Sequence, residues 1–105
     1  MTAGRDRFAP KALERLARAV AAEALGVRVA ETSVRISDTG GALAVRVTSP
    51  VAMPPLGDAS GGGLTVRLAD AAADARRRLA ELTGLEVARV DVRATAAVIR
   101  ERRVR

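Results

Sequence analysis

The residues most suggestive of chemistry stand in one stretch, Gly57-Asp58-Ala59-Ser60-Gly61-Gly62-Gly63-Leu64-Thr65, where a glycine-rich loop runs into an arginine-bearing helix. Such loops cradle phosphates when their glycines are correctly spaced, because backbone N–H groups then converge on the anion. A Walker loop requires Gly, four residues, then Gly-Lys-Ser/Thr, so that the lysine reaches the phosphates and the hydroxyl holds magnesium. Gly57 and Gly62 have that spacing, but Gly63 and Leu64 follow where Lys and Ser/Thr belong. The consecutive glycines fit no G-x-G-x-x-G pattern, and Asp58 would repel a phosphate. The stretch therefore reads as a flexible connector. Neither Gly57-Asp58-Ala59-Ser60 nor Gly61-Gly62-Gly63-Leu64 is the GxxG clamp of a KH-type RNA-binding module, and sheet aromatics for stacking bases are missing.

Catalysis has little to work with. The chain has no cysteine and no histidine, which removes thiol nucleophiles, disulfides, the usual neutral-pH base and the commonest transition-metal ligands. Paired carboxylates remain, and Asp70 with Asp74 on one helix face is the best pair. Their place toward a helix N-terminus favours ionised, structural carboxylates over a raised pKa, and two oxygen ligands are too few for a metal. The sequence supports no catalytic residue, metal site, cofactor or small-molecule substrate, and the protein is read as a non-enzyme.

The elements that position the remaining polar residues follow from apolar spacing. Across residues 8 to 27, Leu13, Leu16, Ala17, Val20 and Ala24 recur on one helical face. Pro10 suits the first helical position, Phe8 and Leu13 fall where a hydrophobic staple would sit, and Gly26 suits a left-handed stop. Residues 32 to 37 alternate with Val34 and Ile36 inward, residues 38 to 41 read as a turn, and residues 42 to 48 return with Leu43, Val45 and Val47 inward. Pro50 makes this second strand an edge beyond Thr48 or ends it there. A second helix spans about 64 to 82, with Leu64, Leu68, Ala71, Ala72, Ala75, Leu79 and Leu82 in period and Gly84 closing it. In residues 86 to 98, Val90, Val92, Ala94, Ala96 and Val98 alternate with Arg89, Asp91, Arg93 and Thr95.

The order helix, strand, strand, helix, strand predicts an α+β two-layer sandwich, αββαβ, with a three-stranded sheet and two helices on one face. The link from the second strand to the third is long enough for a parallel crossover, which would be right-handed. At 105 residues this is one domain, over 8 to 98, with a flexible N-terminus at 1 to 7, an inserted loop near 57 to 63 and a basic tail at 99 to 105. With one phenylalanine and no tryptophan or tyrosine, leucine, valine and alanine must build the core. No signal peptide or membrane-spanning run is legible, so a cytoplasmic domain is expected.

The formal net charge is +6, and every basic residue except Lys11 is arginine. Such a surplus suits anionic partners. If the apolar positions face the helices, Arg35, Arg46, Arg89 and Arg93 project from the other sheet face with Asp91 among them. The tail adds Arg100, Arg102, Arg103 and Arg105 against Glu101. These eight arginines are the candidate partner-binding residues. Two readings stand: a solvated face with a frayed terminus, or a docking surface for an acidic protein or anionic lipid headgroups. Arg76, Arg77 and Arg78 read instead as a solvated helix face, through the i,i+4 pairs Asp74–Arg78 and Arg77–Glu81.

Two stretches resemble the bacterial alkaline-shock-protein family of Gram-positive envelope stress. One is "FAPKALERLARAVAAEALGV", similar to that family's opening helix; the more specific is "LAELTGLEVARVDVRATAAV", similar to its helix end and final strand. The likeness covers roughly residues 8 to 98. It implies a non-enzymatic scaffold or interaction module at the cytoplasmic face of the membrane, peripheral there, with a membrane-side protein partner or a homo-oligomer. It carries over no catalytic residues. Leu56-Gly57 occupies the place of the family's tyrosine-glycine-like turn, and residues 58 to 63 look like an addition. The alternative is a nonspecific nucleic-acid-binding domain that uses the same basic face and tail.

Overall fold

Proline opens the first helix well, because its missing N–H is one that no helix start can pair. The structure, a computed structural model, describes residues 9–54 and 63–99, and in it α1 spans Pro10–Leu25 with Ala9 as the capping residue. Gly26 ends the helix at φ 73°; its N–H reaches Glu23 O at 3.2 Å, and the Val27 N–H reaches Ala22 O at 3.0 Å. These bonds pair carbonyls that a helix end otherwise leaves without partners. Leu13, Ala17, Val20, Ala21 and Leu25 are buried, while Leu16 and Ala24 pack at the margin. Phe8, the other half of the expected staple, lies outside the described residues.

A single 3₁₀ turn, Val29–Glu31, leads into β1 (Ser33–Thr39) and β2 (Ala42–Met53). The hairpin is tighter than the four-residue turn read from 38 to 41. The strands stay paired up to Thr39↔Ala42, leaving Gly40 and Gly41 as the whole turn at φ 62° and 94°. Two successive positive φ values match the right-handed twist of a hairpin, and glycine adopts them without cost. Asp38 still serves the turn, as its Oδ1 accepts the Gly41 N–H at 3.1 Å.

Of the two fates read from Pro50, the edge is the one observed. β1 begins at Ser33 opposite Thr48, so among the described residues positions 49 to 53 have strand pairing on one side only, to β3 (Val87–Ile99). Pro50 sits at a register shift between Ser49 and Val51, where a missing N–H is tolerated. The sheet is three-stranded, in the order β1-β2-β3, with β2 antiparallel to β1 and parallel to β3. The parallel pair needs a crossover, and α2 (Gly63–Thr83) supplies it. The α+β two-layer architecture is as expected.

Two irregularities change which residues of β3 face inward. The register shifts between Leu43 and Ala44, and again between Ser49 and Val51, each time with an extra residue on β3. Past the second shift Ala97 pairs with Val51 and Ile99 with Met53, so Ala97 and Ile99 share the inner face rather than Ala96 and Val98. A one-residue bulge reverses every later side chain.

The core joins the α1 face to Ala71, Ala75 and Leu79 of α2 and to Leu43, Val45, Val47, Val51, Val87 and Val90 of the sheet. The ends of the α2 stripe depart from expectation, as Leu64 is 41% and Leu82 58% exposed. Thr83 is buried instead, donating to Leu79 O at 2.8 Å and accepting the Leu85 N–H at 3.1 Å. Asp70 and Asp74 lie mid-helix rather than in its first turn, and the last turn holds no basic residue, so the helix dipole reaches neither set. Arg67 joins three elements: Nε donates to Ala52 O of β2 and Nη1 to Ala24 O of α1, each at 3.0 Å.

Candidate functional site

Both helices cover the same face of the sheet, which leaves the other face to Ser33, Arg35 and Ser37 of β1, Ala44, Arg46 and Thr48 of β2, and Arg89, Asp91 and Arg93 of β3. The register sets these in rows. Arg35 pairs with Arg46, and Arg46 with Asp91; Ala44 pairs with Arg89 on one side of that row, and Thr48 with Arg93 on the other. All four sheet arginines read from the sequence therefore gather on one exposed surface. Arg100, Arg102, Arg103 and Arg105, the other four candidates, lie outside the described residues.

Within the face, charge is unevenly matched. Arg89 Nε lies 3.2 Å from Asp91 Oδ2, and both side chains are more than half exposed, so the pair is weak in water. Arg35 and Arg46 stand directly opposite each other on adjacent strands, where like charges destabilise a sheet. A shallow depression of about 180 Å³ runs between Arg35, Arg46 and Arg89, with Ser37 and Ala44 in its lining. The small side chains at 37 and 44 leave that space. Reasoning from sequence missed them because their neighbourhood depends on the hairpin register.

The helix arginines are spent inside the molecule. Arg77 donates to Asp74 at 2.6 Å and lies 3.3 Å from Glu81; Arg78 binds Glu23 of α1 and lies 3.5 Å from Asp74. Arg76 donates to Val87 O at 3.3 Å. Both i,i+4 pairs read from the sequence form, and Arg78 adds a link between helices that spacing along one helix cannot reveal. Hydrogen bonding to Asp74 is the first cause holding the Arg77 guanidinium above its ordinary range, and hydrogen bonding to Glu23 does the same for Arg78. A raised folded-state value contributes stability fully below the ordinary arginine range and loses it only above, so neither arginine's own titration gives a response near neutrality.

Asp70 is exposed, and Asp74 is engaged with Arg77 and Arg78. Among the described residues no three acidic, histidine or cysteine side chains gather as metal ligands. No helix among them is long and apolar enough to cross a membrane. The loop at 57 to 62 lies outside the described residues, and Gly63 is the first residue of α2. What the face can do chemically is hold anions through guanidinium groups that donate in a fixed fork. Compared with family models, with curated proteins and with solved structures, the chain matches none.

Proposed function

We propose that this protein is a non-enzymatic association module whose arginine-bearing sheet face docks an acidic, membrane-side protein partner or a second copy at the cytoplasmic face of the membrane. The observation that carries the reading is Arg35 opposite Arg46, flanked by Arg89 and Arg93 one row to either side. Like charges opposite each other cost a sheet stability, and bound carboxylates turn that cost into attraction. The arginines act mainly on partner choice and encounter rate. The likeness of the opening helix and of the closing helix–strand stretch to alkaline-shock proteins supports the envelope setting. Anionic lipid headgroups would add attraction of about 1 kcal/mol per basic residue near the surface.

Nonspecific nucleic-acid binding is the competing reading, and the same arginine pair favours it, since phosphates also suit guanidinium groups. Without aromatics on the sheet it would rest on phosphate contacts alone and fall steeply with salt. A photo-crosslinking amino acid at Ser37, on the face, and at Ala73, exposed on α2, separates the two in cells. The expected result is a discrete, nuclease-resistant protein adduct in the membrane fraction from position 37 and none from position 73. Nuclease-sensitive adducts from position 37 would put nucleic acid first, and equal adducts from both positions would remove the sheet face from consideration.

A further inference from the structure

Among the described residues the sheet has two outer edges, and they are not equivalent. β3 carries both register shifts, and such bulges twist an edge away from further pairing. β1 pairs with β2 without a break from Ser33↔Thr48 to Thr39↔Ala42 and contains no proline. In an antiparallel ladder, backbone groups alternate between the partner and the opposite side. With Thr39 and Ala42 closing a two-residue turn as a bonded pair, Ser33, Arg35 and Ser37 bond toward β2. The backbone groups of Val34 and Ile36 point toward the open edge.

Side chains along the same edge add a charge pattern and an apolar one. Across the outer face the row runs Asp91, Arg46, Arg35, so its charges read minus, plus, plus and then stop at the edge. An acidic residue beside Arg35 on an added strand would follow on with a minus. On the inner face, Ile36 lines a mainly apolar groove of about 290 Å³ with Pro10 and Leu13 of α1, Leu43 of β2 and Leu85, where Lys11, Glu14 and Asp38 also contribute. The residue next to Ile36 on an added strand faces that same side.

We infer that β1 is a strand-addition site for an extended segment alternating acidic with branched apolar residues, the acid opposite Arg35 and the apolar residue opposite Ile36. The inference rests on the docking reading above and specifies where the partner sits and what it is made of. Main-chain bonds to Val34 and Ile36 supply affinity, and the alternating side chains supply choice.

A synthetic peptide alternating glutamate with valine, matched to the seven residues of β1, tests this on the full chain. Binding is read by anisotropy of the labelled peptide, and amide hydrogen exchange is followed residue by residue. The inference expects binding with slowed exchange at Val34 and Ile36. N-methylating the alternate set of peptide amides that faces β1 should weaken binding roughly tenfold or more, because two or three main-chain bonds are lost while the charge stays. Arg35→Ser should weaken it about two- to fivefold, the worth of one cross-strand charge pair. If the methylated peptide binds equally well, edge pairing is overturned and the arginine-face reading survives. Failure of every peptide form while position 37 still crosslinks a membrane protein also overturns edge pairing alone. Replacing Arg35, Arg46, Arg89 and Arg93 together with serine, without effect on the position-37 adduct, overturns both.

Discussion

Near the start of α2, Arg67 holds two carbonyls that belong to different elements. Ala24 O is among the last carbonyls of α1, and Ala52 O lies on β2 past the reach of β1, so neither has a ladder or helix partner on that side. Arg67→Ala should lower stability by about 1.5–3 kcal/mol, the worth of charge-assisted bonds to buried or half-buried carbonyls. Arg67→Lys should recover little, because a single ammonium cannot reach two carbonyls as a planar fork does. Urea unfolding of the three proteins checks this, and full recovery by lysine would show that only the charge matters. Glycines give a second residue-scale contrast. Gly26 and Gly84 have nearly equal φ, 73° and 74°, and adding a side chain to either costs roughly 1–2 kcal/mol from the left-handed backbone. A Cβ at Gly26 would also lie 3.1 Å from the Ala52 Cβ, a short side chain that can yield only with its backbone, whereas Gly84 faces open space. Gly26→Ala should therefore lower the melting temperature more than Gly84→Ala; equal losses would mean that β2 yields at that point without resistance. Both glycines were legible as helix ends from sequence. The contact with Ala52 was not, because it joins positions 26 residues apart.

On the scale of elements, the β1–β2 ladder is where stability and binding oppose each other. Arg35→Glu sets an acid opposite Arg46 and replaces repulsion with a cross-strand pair, a gain of about 0.2–1 kcal/mol. The same change removes one of the four arginines from the face and should weaken capture of an acidic partner. Thermal unfolding should show the variant more stable at low salt, with the gain shrinking as salt screens the pair. A less stable variant would mean that Arg35 has another favourable contact along the edge. The alternation in 33 to 37 and 43 to 47 made both strands and their inner faces readable. Pro50 left two fates open for β2, and only the structure shows it continuing to Met53; the bulge of β3, by which Ala97 and Ile99 replace Ala96 and Val98, was not readable at all. A proline and a bulge register as interruptions in a single strand's pattern, and only the neighbouring strand decides whether they are tolerated.

At the scale of the molecule, the surplus charge and the missing chromophores combine into one direct measurement. With no tryptophan or tyrosine the chain is nearly transparent at 280 nm, so bound nucleic acid would stand out at 260 nm. The association reading expects no 260 nm band in protein purified at physiological salt. A band that persists there and leaves in high salt would move nucleic acid ahead, since counterion release makes phosphate binding that sensitive. Part of the charge is already committed internally: Arg67, Arg76, Arg77 and Arg78 all bond within the fold. The number of arginines therefore overstates what is offered to a partner.

By itself the sequence determined the kinds of element and their order, since the apolar period distinguishes helix from strand and the glycines at 26, 40, 41 and 84 mark where the two helices and β1 stop. It also determined which functions lack the necessary atoms, because no arrangement of this chain supplies a thiol or an imidazole. The expectation that Arg35, Arg46, Arg89 and Arg93 share one face came from alternation alone, and the tertiary structure agrees. Only that structure decided their neighbours, Arg35 opposite Arg46 and Asp91 beside Arg89, and turned Arg78 of α2 to Glu23 of α1 and Arg76 to Val87. Alternation assigns a side chain to a face within its own strand. Which charge stands next to it depends on strand order and register, and these are set by cores and bulges that join residues far apart in the chain.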